Sequence, residues 1–337
     1  MRYHILGTGA IGCHLAYDLK SRHNVTLILR SKNALEDFNK RQNQIVYRQV
    51  NQTEFVGKTG FDTMVAGDNH GADDGKPSNM MEAVVVTTKA QHAQEAVRSI
   101  KPFLSKSSTL ILFQNGMGIA DELLETLWPT SEERKNAPTI VLGVNRHSIM
   151  RTEPFTILHN AGWYKPDDGY FMSPFPTSLE QDREDQVQTV MKGFLDLPSL
   201  NAKIIKWKEL QTTMMRKLVV NAGLNAATGI LESSNGGLIA SSYGRELIRQ
   251  VCEECALVLS ELNTTPDDLY DMVYGTAHDA APNTCSTVQD IKAKRLTEIE
   301  YINGYIIRLA KERNIPVPTN KFLVTLLHAK EHFIQAK

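Results

Sequence analysis

The sequence has little of what marks secreted, membrane-spanning or nucleic-acid-binding proteins. Its four cysteines in 337 residues are too few for a disulfide framework, which indicates a reducing compartment. No apolar run approaches the ~18 residues that a membrane-spanning helix needs, so no membrane partner is expected. Lysine and arginine number 37 against 38 acidic residues, which argues against nucleic acid as a partner. Because the first strand is predicted from Tyr3, no targeting peptide is expected, and we predict a cytoplasmic protein.

The chain length and a change of pattern near Trp207 predict two domains. At roughly 150 residues per domain, a chain of 337 residues accommodates two. Before Trp207, short apolar runs typical of buried strands alternate with helical patterns. After Trp207, helical patterns dominate to the end of the chain. We therefore predict an α/β domain over residues 1–206 and an all-helical domain over residues 207–337, with a cleft between them.

Short apolar runs predict the strands of the first domain. These runs cover residues 3–6, 25–29, 83–87, 109–113 and 139–144. Residues 155–163 and 202–205 also have β character, and residues 93–104 predict a helix. Residues 67–79 are rich in glycine, aspartate and asparagine, which predicts an exposed loop.

A glycine-rich turn lies directly between the first predicted strand and a helix. It has the GxGxxG form and reads Gly7-Thr8-Gly9-Ala10-Ile11-Gly12. In such a turn, the first glycine permits the tight bend, the second lets the backbone approach a pyrophosphate, and the third allows close packing of helix and strand. The N–H groups at the start of the helix also favour phosphate. The position within a βαβ unit favours a dinucleotide site over a plain turn.

The end of the second predicted strand indicates which dinucleotide binds. Enzymes that use NAD carry an acidic residue there, which binds the ribose 2′-hydroxyl. In this chain Arg30 can pair with a 2′-phosphate, Ser31 can donate a hydrogen bond to it, and Lys32 adds positive charge. The alternative is a solvated basic turn. We predict NADP(H) as the cofactor.

Three polar residues in an otherwise apolar helix form a stripe. Lys217, Asn221 and Asn225 are spaced by four residues, so they span roughly 80° of the helix circumference. A solvent-exposed face is the alternative, but such a face usually carries several charges, and asparagine is a poor helix former. Polar groups in an apolar helix also need partners. The stripe therefore predicts the lining of a site.

Five ordered motifs make the sequence resemble the ketopantoate reductase (2-dehydropantoate 2-reductase) family. They are residues 7–12, residues 88–90, residues 114–118, residues 216–225 with Lys217, and Ser286 with residues 297–304. The resemblance covers nearly the whole chain and departs from the family at residues 67–79 and around residues 162–177. It implies a Rossmann-like domain followed by a helical domain of the 6-phosphogluconate dehydrogenase type, with the active site in the interdomain cleft. It also implies NADPH-dependent reduction of 2-dehydropantoate to pantoate, a step of pantothenate and coenzyme A biosynthesis.

The resemblance also assigns roles to individual residues. It implies that Lys217 is the catalytic general acid and that Glu298 is a second essential ionisable residue, which also lies beside the cofactor. The substrate-binding positions that it implies are Asn115, Asn221, Asn225 and Ser286. The cofactor-binding positions that it implies are Gly7, Thr8, Gly9, Ala10, Ile11, Gly12, Arg30, Lys89, Asn115 and Glu298.

The separation of Ser286 and Glu298 predicts a break in the chain between them. On one straight helix, twelve residues span ~18 Å, too far to share a small substrate. Residues 297–300 have the form of a capping box, which predicts a new helix from Thr297 and a break near residues 294–296.

Other residue clusters of the sequence give weaker signals of function. Cys252 and Cys255 lack the further ligands of a zinc site, so we predict buried thiols and no metal site. His147 and His159 could each be a catalytic acid, although a lone histidine is more often structural. Two functional alternatives are reduction of another 2-keto acid and a non-catalytic NADP-binding regulatory protein. The expected partner is a small 2-keto acid, and a homodimer is left open.

Overall fold

The computed structural model describes residues 1–67, 80–178 and 183–335. Most of the loop predicted over residues 67–79 therefore lies outside the described residues. The chain forms two compact units. The first unit comprises Met1–Gln114 and Ile119–Leu210, and the second comprises Asn115–Gly118 and Gln211–Lys337. The sequence predicted a division after residue 206, and it did not predict that residues 115–118 belong with the helical unit.

The strands all lie in the first unit as far as the structure describes the chain. They are β1 (Arg2–Leu6), β2 (Asn24–Leu29), β3 (Ile45–Gln49), β4 (Val56–Lys58), β5 (Asp62–Val65), β6 (Ala83–Val86), β7 (Thr109–Leu112), β8 (Thr139–Asn145), β9 (Ser148–Glu153), β10 (Thr156–Ala161), β11 (Tyr170–Pro174) and β12 (Lys203–Ile204).

The larger sheet has the strand order β12-β11-β8-β7-β6-β1-β2-β5. Its pairs are parallel except for β8 with β11, which is antiparallel. The segment β5-β2-β1-β6-β7-β8 has the strand order of a Rossmann fold, in which the direction of strand addition reverses between β1 and β6. Strands β6 and β7 are buried at every residue, as expected for the middle of a parallel sheet. Ligands of such sheets bind at the carboxyl ends of the strands beside the switch.

A smaller sheet with the order β4-β3-β10-β9 was largely missed by the sequence prediction. Only β10 lay in a segment with predicted β character. Strand β9 is mostly exposed and β4 has no buried residue, so neither has the apolar run by which the other strands were predicted. These strands are defined by pairing with distant segments, such as β3 with β10.

The described α-helices account for the rest of the regular structure in both units. They are α1 (Ala10–Leu19), α2 (Lys32–Lys40), α3 (Ala90–Ile100), α4 (Ile119–Leu127), α5 (Ser131–Lys135), α6 (Glu184–Leu195), α7 (Trp207–Leu231), α8 (Asn235–Ala240), α9 (Ser242–Val258), α10 (Pro266–Asp279), α11 (Ser286–Lys292), α12 (Asn303–Glu312) and α13 (Pro318–Gln335). Helix α3 begins three residues before the helix predicted over 93–104, and it ends at Ile100, shortly before Pro102.

The core of the second unit is built around α7. This helix has 25 residues, and Leu218, Val219 and Ala222 on it are almost completely buried. It ends where Glu232 adopts a left-handed conformation with φ 51°, which stops a helix because the next N–H can no longer continue the ladder. None of the described helices is long and apolar enough to cross a bilayer.

The break predicted between Ser286 and Glu298 is confirmed, but its form differs from the prediction. Helix α11 ends at Lys292, and Lys294 has a left-handed φ of 52°. A short 3₁₀ helix then covers Ile299–Tyr301, and the next α-helix begins only at Asn303. The predicted helix start at Thr297 was therefore wrong.

Candidate active site

The glycine-rich turn follows β1 directly and leads into α1. Gly7 has φ +108°, a conformation that other residues rarely adopt, and a Cβ there would lie 2.7 Å from the backbone nitrogen of Thr88. A Cβ on Gly12 would lie 1.9 Å from the carbonyl oxygen of Gly7. Both glycines are thus required by contacts within the chain, as the turn of a dinucleotide-binding fold needs.

Gly9 differs from the other two glycines because nothing in the described chain requires it. No described atom lies within 4 Å of the position that a Cβ on Gly9 would take. Gly9 is also the N-cap of α1, and the helix has neither a side-chain cap nor an acidic residue in its first turn. The helix begins at Ala10 and Ile11, whose N–H groups lie at its N-terminus, and Thr8 immediately precedes the N-cap. The local arrangement fits a pyrophosphate approaching the helix N-terminus.

The end of β6 is bonded to the same turn. Thr87 Oγ1 donates a hydrogen bond to the carbonyl oxygen of Gly7 at 2.6 Å, which ties the two strand ends together at the switch. Two residues later, Lys89 is the N-cap of α3 and is partly buried. Lys89 therefore follows the strand that neighbours β1, on the side where ligands of this fold bind.

The basic residues after β2 are accessible. Arg30 and Lys32 are exposed, and Ser31 caps α2 by accepting a hydrogen bond from the N–H of Ala34 at 3.2 Å. The Ser31 hydroxyl retains its proton for donation, so this short segment presents two cations and one donor at the end of the strand.

Lys217, Asn221 and Asn225 all lie on α7, as predicted. Lys217 and Asn221 are partly buried, and the exposed fraction of Asn225 is 6%. A solvent-exposed face would not carry a buried polar residue such as Asn225. The three side chains therefore form a stripe that runs from a partly accessible position into the unit.

Glu298 lies just before the 3₁₀ helix and is bonded to the 115–118 segment. Asn115 Nδ2 donates to Glu298 Oε2 at 3.2 Å, and the N–H of Met117 donates to the carbonyl oxygen of Tyr301 at 2.9 Å. A Cβ on Gly116 would lie 2.2 Å from that same carbonyl oxygen, so only glycine permits this approach. The structure thus brings together Asn115 and Glu298, which are 183 residues apart.

Two further contacts connect the neighbouring segments to α7. Asn303 Nδ2, at the start of α12, donates to the carbonyl oxygen of Ala222 at 3.2 Å. Cys285, the N-cap of α11, has its Sγ 2.9 Å from Thr228 Oγ1. Ser286 follows Cys285 and is exposed. The segments that carry Glu298 and Ser286 are therefore each joined to the helix that carries the polar stripe.

The predicted capping box at residues 297–300 does not form. Its backbone N–H at Thr297 donates instead to Glu331 Oε1 at 2.7 Å, and the Glu300 carboxylate binds His328 Nε2 at 2.7 Å. Residues of α13 thus take both partners that the capping box would have used. Sequence patterns missed His328 and Glu331 as parts of this turn, because their partners are distant in the chain.

The cysteines and the two histidines that the sequence offered as weaker candidates are buried or only partly accessible. Each of the four cysteines, all within the described residues, is a free thiol, and Cys252 and Cys255 are completely buried on α9. Burial raises the pKa of the Cys252 thiol to about 12, so it is an unreactive core residue. His147 and His159 are buried in the first unit, with exposed fractions of 6% and 0%. Neither side chain is accessible enough to give a proton to a substrate in this conformation.

Two family models match the chain in the expected order. The model described as "Ketopantoate reductase PanE/ApbA" matches residues 3–166, and the one described as "Ketopantoate reductase PanE/ApbA C terminal" matches residues 209–331. Between them they match most of the two units. The predicted motifs at residues 7–12, 88–90 and 114–118 lie in the first match, and the stripe on α7 lies in the second.

Similar proteins and structures extend over nearly the whole chain. The probable 2-dehydropantoate 2-reductase of Schizosaccharomyces pombe is 29% identical, over 97% of this chain and 95% of that protein. The 2-dehydropantoate 2-reductase of Shigella flexneri is 29% identical, over 98% of this chain and 95% of that protein.

Among solved structures, D-mandelate dehydrogenase with NADH and anilino(oxo)acetate has a TM-score of 0.80 at 20% identity, over 100% of both chains. The dimeric ketopantoate reductase from Staphylococcus aureus has a TM-score of 0.71 at 18% identity, over 99% of this chain and 100% of that one. At these identities the likeness shows the fold alone. Taken with the two family matches and the glycine turn, it leads to one conclusion: the chain belongs to the ketopantoate reductase family.

Proposed function

We propose that this chain reduces 2-dehydropantoate to pantoate with NADPH, in the cytoplasm, as a step of pantothenate and coenzyme A biosynthesis. The observation that carries the proposal is the hydrogen bond from Asn115 to Glu298 within the unit that also holds Lys217, Asn221 and Asn225. These are the residues to which the family resemblance gives catalytic and substrate-binding roles. A degenerate, non-catalytic relative would be expected to have lost some of them.

Most of the residues that would hold the cofactor belong to the first unit, and Asn115 belongs to the second. The turn of Gly7 to Gly12 and the N-terminus of α1 would bind its pyrophosphate. Arg30 would pair with the 2′-phosphate, which supports NADPH rather than NADH. Lys89 and Asn115 would lie toward the nicotinamide end. When bound, NADPH supplies the hydride that reduces the ketone.

The polar stripe would act on the ketone. As the ketone is reduced, negative charge builds on its oxygen, and the Lys217 ammonium would stabilise that charge and donate the proton. Asn221, Asn225 and Ser286 can donate to the carboxylate and hydroxyl groups of the substrate. Glu298, held by Asn115, would keep Lys217 protonated and accept a hydrogen bond from the substrate hydroxyl.

Initial rates with a panel of substrates test the proposal. Oxidation of NADPH is followed with 2-dehydropantoate, with a 2-keto acid of the same branching that lacks the hydroxyl, with pyruvate and with phenylglyoxylate. We expect the highest kcat/KM for 2-dehydropantoate. An equal or higher kcat/KM for another member of the panel would contradict 2-dehydropantoate as the preferred substrate. No turnover with any of the compounds would favour the non-catalytic alternative.

We also propose that the enzyme assembles as a homodimer, as the Staphylococcus aureus relative is described. Light scattering after size-exclusion chromatography tests this proposal. Twice the chain mass of 37.7 kDa is expected, and a monomer at working concentration would contradict the proposal.

A further inference from the structure

Three histidine side chains from separate segments meet inside the first unit. His14 lies on α1, His147 lies between β8 and β9, and His159 lies on β10. The centroids of their rings are 4.7–4.9 Å apart, and one nitrogen from each ring lies within 4.8 Å of the others. Their exposed fractions are 0%, 6% and 0%. Three convergent imidazoles in a protein core are an unusual use of polar groups, because burial must be compensated by partners.

The outward nitrogens of all three rings have hydrogen-bond partners. His147 Nε2 lies 2.9 Å from the carbonyl oxygen of Leu200 and must donate to it, because a carbonyl only accepts. His159 Nδ1 lies 2.8 Å from Tyr47 Oη, and His14 Nδ1 lies 2.9 Å from Tyr170 Oη. Histidines that bind metals typically use one ring nitrogen as ligand and donate the other N–H to an oxygen.

The remaining nitrogens are those suited to a ligand. Because His147 carries its proton on Nε2, its Nδ1 has a free lone pair, and this atom lies 3.0 Å from His159 Nε2. His14 Nε2 has no hydrogen-bond partner among the described residues. It lies 3.5 Å from Asp18 Oδ2, which also has none and belongs to a residue with an exposed fraction of 7%. Two buried polar atoms left without a hydrogen-bond partner therefore face each other beside the imidazoles.

We propose that His14, His147 and His159 bind one divalent transition-metal ion of the zinc type. Three imidazole nitrogens, with a water molecule in the fourth position, form a four-coordinate donor set that suits this class of ion. The sequence analysis predicted no metal site, since the ligands are too scattered along the chain to form a motif. The site is distinct from the proposed catalytic residues and would hold α1, the helix that follows the glycine turn, to β10.

Binding requires two protons to move between ring nitrogens, one on His14 and one on His159, and none to be lost from the histidines. In the ion-free chain His14 directs Nε2–H toward the Asp18 carboxylate, and when Nε2 binds the ion this proton moves to Nδ1 and is donated to Tyr170 Oη. In the ion-free chain His159 Nε2–H donates to His147 Nδ1. When both atoms bind the ion, the His159 proton moves to Nδ1 and is donated to Tyr47 Oη, which then acts as the acceptor. Asp18 supplies a compensating negative charge beside His14.

Metal content and cobalt absorption of the full-length, untagged protein test the proposal. The protein is unfolded in denaturant in the presence of a chelator, which removes any bound ion. It is then refolded with a small excess of Zn²⁺ or Co²⁺ and desalted. We expect one ion retained per chain, the intense visible absorption of four-coordinate Co²⁺, and a Tm that rises with free Zn²⁺. Failure to retain the ion, or an octahedral cobalt spectrum, would overturn the proposal.

Variants separate this cluster from adventitious sites. His159→Gln should abolish the four-coordinate cobalt spectrum, and Asp18→Asn, which removes a negative charge beside His14, should weaken Zn²⁺ binding. Tyr47→Phe keeps every ligand but removes an outer hydrogen bond, and should weaken Zn²⁺ binding by roughly 10–100-fold. The control is His92→Gln, at an exposed position of α3, which should bind as the wild type does. Should His159→Gln fail to fold, the wild-type spectrum with Tyr47→Phe still decides, because wild-type affinity in Tyr47→Phe would contradict the site.

Discussion

Glu331 Oε1 accepts a hydrogen bond from the backbone N–H of Thr297 at 2.7 Å, across 34 residues of sequence. Glu331 has an exposed fraction of 4%, and its other carboxylate oxygen lies 2.8 Å from His328 Nδ1. The backbone that this bond holds leads directly into Glu298. A side chain of α13 thus fixes the position of the backbone that carries Glu298, the proposed catalytic carboxylate. Glu331 itself has no role in the chemistry.

Replacing Glu331 should destabilise the fold and misplace Glu298. Glu331→Ala leaves a buried N–H without an acceptor, which costs about 1–3 kcal/mol in the free energy of unfolding. Glu331→Gln keeps an acceptor oxygen and should lose less. Urea denaturation measures both, with the exposed Glu312→Ala as a control expected within about 0.5 kcal/mol of wild type. Equal losses in the alanine and glutamine variants would contradict the role given to this bond.

His328 should make stability depend on pH. Burial lowers its pKa, but hydrogen bonds to Glu300 and Glu331 outweigh burial and raise the pKa above 6.5. The charged groups facing it are these two carboxylates, with Arg308 3.7 Å from the Glu300 carboxylate. Because the folded-state pKa is raised, the stabilisation is complete below pH 6.5 and is lost as the pH rises through the folded-state value.

The difference in unfolding free energy between wild type and His328→Gln, measured across that range, isolates the effect. It should be largest at acidic pH and should shrink with rising pH. The exposed His332→Gln, four residues along the same helix, serves as the control. A difference that is constant with pH, or that grows as the pH rises, would show that the protonated imidazole does not carry the interaction.

Two glycines of the turn should respond differently to alanine. The Cβ of Gly9→Ala meets no described atom, so the free energy of unfolding should stay within about 1 kcal/mol of wild type. The same Cβ should weaken NADPH binding, because it occupies the side from which a pyrophosphate approaches. Gly12→Ala places a Cβ 1.9 Å from a carbonyl oxygen and should reduce both stability and binding. Cofactor titration and urea denaturation of the two variants distinguish these outcomes. Gly275→Ala, also in open space, is the control and should bind NADPH normally.

Arg30→Ala should weaken NADPH binding and leave NADH nearly unchanged. Loss of a charge-assisted bond to phosphate costs about 1.5–3 kcal/mol, or roughly ten- to hundredfold in Kd. Arg22→Ala removes the same charge from an exposed position shortly before the other end of β2 and should change neither affinity. Titration of both cofactors against both variants is the measurement. An equal loss for NADPH and NADH would show that Arg30 does not bind the 2′-phosphate.

Lys217 and Glu298 should act as a unit. Lys217→Ala should lower kcat by roughly 10²–10⁴ while NADPH binding survives, and the exposed neighbour Arg216→Ala should retain most of the activity. Glu298→Ala should impair both kcat and KM for the keto acid. The double variant should be less impaired than the product of the two single effects. A double-mutant cycle on kcat/KM decides, and strictly multiplicative effects would mean that the two residues act separately.

Sequence patterns predicted those parts of the fold whose burial can be recognised from the local sequence. Strands such as β6 and β7 are buried on both faces, so each is a continuous apolar run. The partly exposed strands β4 and β9 owe their conformation to pairing with distant segments, which no local pattern records. Likewise the stripe on α7 follows from helical spacing, whereas the bond between Glu331 and Thr297 depends on tertiary packing and overrides the local capping signal.

The membership of Asn115–Gly118 in the second unit makes that unit discontinuous in sequence. A fragment cut after residue 206 would retain these four residues but separate them from Glu298 and Tyr301, so no single cleavage yields both units intact. The amide of Met117 donates to Tyr301, and native-state hydrogen exchange at that amide should follow the local opening of the helical unit. Its protection would therefore differ from that of Leu112, only five residues earlier, where β7 pairs with β6 in the first unit.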